Sequence, residues 1–215
     1  MIKFKLNGKP LSIPSSWIDI TLDQHINLIN NKAGINGAIS ILTGISIEAL
    51  KKAKFEGLDM VIQAMNFLKK APEYDGTVTQ LGKYQLPLNS KGDFDIQFET
   101  LGQFEDLKAC MAKVKESDTL SIFRSYAEAC AIYAQKIRDG EYMPDKAQSM
   151  IHEVYQMPAH QVITAGSFFF LKLLSLLNGI DQTSQPTNQN RKKSKPALRN
   201  SKRNSVHTRQ SRKSR

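Results

Sequence analysis

The side chains with reactive potential are few and scattered. Four histidines, His25, His152, His160 and His207, and two cysteines, Cys110 and Cys130, stand in 215 residues. None falls in an H-E-x-x-H or C-x-x-C spacing, so no helix face or loop presents two metal ligands together. His152 and His160 flank Pro158, which prevents one continuous helix from carrying both. No G-x-x-x-x-G-K-[ST] or G-x-G-x-x-G phrase offers a phosphate cradle, and no nucleophile stands in a recognisable frame with a base. The residues therefore point away from an enzyme, with no catalytic, metal or cofactor-binding position to assign. The histidines read as satisfied or solvated, and the cysteines as small buried apolar groups in a reducing compartment.

The one segment with a direct chemistry is the C-terminus. From Asp181 onward, eleven Lys and Arg face a single acid, which accounts for the whole net charge of +10 and leaves the preceding 180 residues with 19 of each sign. Arg191, Lys192, Lys193, Lys195, Arg199, Lys202, Arg203, Arg209, Arg212, Lys213 and Arg215 are separated by small polar residues without an aromatic ring. Such a run can neutralise phosphates in a sequence-independent, salt-sensitive way, but it has no stacking platform for single strands and no helix for base readout. A solubilising end and a ligand for an acidic protein surface are the competing readings. Only Ala197, Leu198 and Val206 are apolar in 191–215, too few to offset the entropy of ordering, so residues 181–215 are expected to be a disordered basic tail.

The body, residues 1–180, is long enough for one domain with a core or two small ones. The phrase T-L-x-Q-x-x-x-L occurs at Thr21 to Leu28 and again at Thr100 to Leu107. In each, the threonine can cap a helix while the glutamine three residues on reaches back, as in a capping box. Hairpin-like phrases precede both, Leu6-Asn7-Gly8-Lys9 and Leu81-Gly82-Lys83-Tyr84. The expectation is α+β, helix-dominated, with two small β-hairpins each leading into a capped helix. The units would be 1–70 and 71–180, unless the recurrence is that of a common cap.

In the first unit, Ile2, Phe4 and Leu6 alternate with lysines, Asn7-Gly8 turns the chain, and Leu11 and Ile13 return it. This charged alternation is no signal peptide, which points to an intracellular product. Trp17, the only tryptophan, is placed to anchor the hairpin on the helix at Thr21, with an interface role as its alternative. Helices follow at 21–34, from Ser46 and over 58–68. In the second unit, 77–88 reads as strand, 89–92 as a turn, and Phe94, Ile96 and Phe98 as a further strand delivering the chain to Thr100. Helical patterns then cover 101–115, 119–138 and 145–157, and a final one runs from Ala159 to Leu177. That last helix carries Phe168, Phe169 and Phe170 among many leucines. Its strongly apolar part is nearer ten residues than the roughly 20 a bilayer crossing needs, and Lys172 sits near its middle, so it reads as a buried or partner-binding helix.

The opening Phe4 to Lys9, Ile13-Pro14, Trp17 and Thr21-Leu22-x-Gln24 resembles the start of phage tail assembly chaperone-like proteins. Gly140-Glu141-Tyr142, Met157-Pro158-Ala159 and Phe168 to Leu171 look like the closing part of related phage morphogenesis proteins. The basic arm departs from that pattern. The resemblance implies a non-enzymatic protein of the host cytoplasm or virion that binds tail tube or tape measure subunits through surfaces such as Trp17 and Phe168, Phe169 and Phe170. A structural or packaged virion protein whose arm binds nucleic acid is the alternative.

Overall fold

The computed structural model describes residues 1–56, 58–74, 78–88, 90, 100–115 and 117–183. The expected strand at Phe94, Ile96 and Phe98 and the basic tail beyond Thr183 lie outside them.

Strands β1 (Ile2–Leu6) and β2 (Lys9–Ile13) pair antiparallel with Ile2 opposite Ile13 and Phe4 opposite Leu11. Asn7 and Gly8 both take positive φ, 50° and 76°, as a primed hairpin turn requires. The alternation puts Phe4, Leu6 and Ile13 inside. Pro10 is tolerated because β2 is an edge strand. A two-residue strand β3 (Phe55–Glu56) adds to the other edge of β1. Asn7 fixes that junction: its backbone N–H donates to the Lys54 carbonyl at 3.3 Å, and its side-chain oxygen accepts from Lys54 N–H at 3.1 Å.

Helix α1 (Leu22–Ile29) opens with the full capping box. Thr21 Oγ1 accepts from Gln24 N–H at 3.2 Å, and Gln24 Oε1 accepts from Thr21 N–H at 3.1 Å. It ends at Ile29, earlier than the expected Gly34, which instead begins α2 (Gly34–Thr43). Ser46 caps α3 (Ile47–Lys52) as expected. The 58–68 pattern divides into α4 (Leu58–Ala64) and a 3-10 turn (Met65–Lys69).

The 77–88 stretch is not one strand. It folds on itself as β4 (Gln80–Leu81) and β5 (Tyr84–Gln85) around Gly82-Lys83, with Gly82 at φ 59°. The hairpin-like phrase at 81–86 thus forms its turn, while the turn expected at 89–92 falls almost wholly outside the described residues. Thr100 caps α5 (Leu101–Ala112) by accepting from Gln103 N–H at 3.1 Å. Asp118 caps α6 (Thr119–Asp139), which Gly140 closes in the left-handed conformation. Pro144 occupies the first turn of α7 (Pro144–Tyr155), where its missing N–H costs nothing. Helix α8 (Ala159–Thr183) follows Pro158.

Helix dominance and two small antiparallel pairs are thus the architecture, as the sequence leads one to expect. Two clusters form the core. One gathers Phe4, Leu6, Ile13, Ile20, Ile39, Leu42, Leu50, Val61 and Met65 under the first sheet. The other packs Leu107, Cys130, Met150, Val154, Phe169 and Leu173 between α5, α6, α7 and α8, with Leu81 and Tyr84 of the small hairpin against it. The halves interlock, because Leu22 and Ile26 of α1 belong to the second cluster and Ala159 of α8 to the first. Backbone bonds stitch the seam: Leu22 N–H donates to Met157 O at 3.0 Å and Ala159 N–H to Ile20 O at 2.9 Å.

Candidate partner-binding surfaces

Trp17 sits in the short 3-10 turn after the first hairpin, half-buried, with Nε1 donating to the carbonyls of Phe67 and Lys70, 3.1 Å each. Its ring meets Phe67 edge-on at 5.2 Å and His25 at 5.3 Å. It therefore anchors the hairpin both to α1, as expected, and to the 65–70 segment. His25 is fully buried, edge-on to Phe123 of α6 at 5.1 Å, with its Nδ1 3.1 Å from the Tyr74 hydroxyl. Burial pulls its pKa down to about 4, so it is a neutral packing group at physiological pH.

Beside Trp17 opens a cleft of about 540 Å³ between the α1–α2 pair and the α4–3-10 segment. Leu28, Ile29, Ile35, Ala38, Ile62, Met65 and Leu68 line it with Trp17. Ile29, Ile35 and Ile62 remain 48%, 47% and 40% exposed, three of the ten exposed large hydrophobics among the described residues. Their convergence on one concavity separates them from scattered surface aliphatics, which need no explanation.

Of the two roles expected for helix α8, buried or partner-binding, its phenylalanines take the buried one. Phe169 stacks on Tyr133 at 4.0 Å and Phe170 meets Tyr126 at 5.2 Å; both are buried, and Phe168 is half-buried against the same core. Three consecutive helical positions span about 200°, so they cannot share one exposed face. Phe169 and Phe170 hold the bundle together, and among the described side chains the large apolar groups that α8 exposes most are Leu171, 66% exposed, and Leu174, 43% exposed. By length and composition Ala159–Asn178 is apolar enough to cross a bilayer, but 44% of that window is packed inside the fold.

A second, more polar cleft of about 330 Å³ lies between α5, α6 and α7, lined by Asp106, Cys110, Lys113, Glu128 and Tyr142. Lys113 pairs with Glu128 at 2.6 Å, and the Tyr142 hydroxyl donates to Asp106. Burial, with the Glu128 carboxylate beside it, pushes the Cys110 thiol up to about 12, which makes it a poor nucleophile. Burial raises Cys130 still further from the thiolate. Among the described residues no group of three His, Cys, Asp or Glu is placed to hold a metal ion. The basic residues from Arg191 to Arg215 lie outside the described residues.

Comparison with protein-family models, with curated proteins and with solved structures finds no match to this chain. Sequence reasoning picked out Trp17 but missed Ile29, Ile35 and Ile62. A helical stripe gives a direction around an axis without saying whether another element covers it.

Proposed function

We propose that the chain is a non-enzymatic phage assembly protein, a tail assembly chaperone-like factor that holds an apolar segment of a tail tube or tape measure subunit until assembly. The observation that carries this reading is the cleft beside Trp17, where three half-exposed isoleucines line one open concavity on a firmly braced floor. A surface of this kind suits transient capture of aliphatic groups that would otherwise aggregate. The resemblance in the first 24 residues supports the same reading, since it covers Trp17, which lines the cleft, and the capped start of α1, whose later residues Leu28 and Ile29 line it too.

A second reading rests on the concentration of the full +10 charge beyond residue 180, which favours a virion protein with a nucleic-acid-binding arm. Affinity capture from native lysate separates them. It uses the full chain beside a variant with the eleven basic tail residues changed to serine, each with and without nuclease. Retention of an identified tail tube or tape measure subunit by both, unaffected by nuclease, supports the chaperone-like role. Capture that needs the basic residues and vanishes with nuclease supports the arm.

A further inference from the structure

We infer that the cleft beside Trp17 recognises an amphipathic helical peptide whose aliphatic stripe is flanked by carboxylates, supplied by the partner subunit. This rests on the reading that the cleft is where the protein holds its client.

The polar groups around the cleft decide the chemistry. The indole N–H of Trp17 is spent on Phe67 O and Lys70 O, so only the ring faces the opening. Asn31 is spent too, its Nδ2 donating to Gly34 O at 2.8 Å and its Oδ1 accepting from Ala33 N–H at 2.9 Å. What remains is the exposed lip at Asn66, Lys69 and Lys70. Among the described residues the two lysines are the only charged ones lining the cleft, and no acid lines it. An apolar floor with a purely cationic lip complements aliphatic anchors next to Glu or Asp. It is mismatched to this chain's own tail, which carries eleven cations and a single acid.

The exposure of the walls argues for a helix over a fatty acyl chain. A ligand resting on isoleucines that are nearly half open keeps its outer side in water, which an amphipathic helix tolerates and a bare alkyl chain does not. Anchors at i, i+3, i+4 and i+7 span roughly 10 Å of helix axis.

The test uses the full chain and its only tryptophan as reporter. Two Trp-free helical peptides of about 16 residues carry the same leucine stripe, one flanked by Glu and the other by Lys. Titration at low salt should shift Trp17 emission with the Glu peptide and bind it roughly tenfold tighter than the Lys peptide. Ile35→Glu and Ile62→Glu should each weaken that binding. Lys69→Glu with Lys70→Glu, both at exposed positions, should reverse the preference while leaving the fold intact. Equal affinity for the two peptides, an unmoved Trp17 emission, or an emission that changes with protein concentration alone, as a second copy in the cleft would produce, overturns the inference. If neither peptide binds while the tail subunit is still captured, this inference falls and the assembly role stands. If the Glu peptide binds and no tail subunit is captured, the recognition chemistry stands and the role falls.

Discussion

The indole of Trp17 and the carbonyl of Phe67, fifty residues apart in sequence, lie 3.1 Å apart, and this bond closes the first half of the molecule around its hairpin. The same N–H also reaches Lys70 O, so the turn that borders the cleft is held by one side chain. Trp17→Phe keeps most of the apolar area but leaves two carbonyls without this donor. It should cost about 1–2 kcal/mol in urea unfolding. Unchanged stability would mean that water replaces the indole without loss.

His25 couples the two cores through Trp17 on one side and Phe123 on the other. Its folded pKa of about 4 lies below its ordinary 6.5, so the unfolded chain binds the extra proton between these values. Stability from this group is therefore complete above pH 6.5 and declines as pH falls toward 4, at up to about 1.4 kcal/mol per pH unit. Urea midpoints from pH 7 to 4.5 should fall more steeply for the native chain than for His25→Phe. Parallel profiles would remove His25 as the cause.

Gln135 is fully buried and joins α6 to α7. Its Nε2 donates to Asp139 Oδ2 and to Glu141 O, 3.0 Å each, and its Oε1 accepts from Met143 N–H at 2.9 Å. Gln135→Met conserves volume but strands the Met143 amide. A loss of about 2–3 kcal/mol is expected in thermal or urea unfolding. A neutral result would show that the α6–α7 turn is fixed by packing alone.

Gly166 marks a close approach of α8 to α6. A β-carbon there would lie 2.5 Å from Tyr126 Cβ and 2.9 Å from its Cα, so backbone must move. Gly166→Ala gains about 1 kcal/mol in helix propensity yet should be net destabilising by about 1–3 kcal/mol. A more stable variant would mean that the two helices separate freely.

Much of the fold was legible because its signals are local. Asn7-Gly8, Thr21 with Gln24, Ser46 and Thr100 each act within four residues, and each does what its chemistry dictates. The start of α7 falls one residue before the expected 145, because a helix's first turn accepts Pro144 where an interior would exclude it. Strand β3 was invisible, since two residues paired across the chain leave no periodicity. At the candidate site, Trp17 stood out by type alone. The outward turn of Ile29, Ile35 and Ile62, and the inward turn of Phe169 and Phe170, depend on which helix lies opposite, a tertiary fact absent from any single stripe.

The most direct measurement places a photo-crosslinking residue at Ile35 or Ile62, with Leu101 on α5, 71% exposed and away from the cleft, as the comparison. Irradiation in native lysate should join both cleft positions to a tail tube or tape measure subunit through a carboxylate-flanked aliphatic segment, and Leu101 should give no such product. Crosslinks to that subunit from Leu101 but from neither isoleucine would contradict the assignment of the cleft as the binding surface.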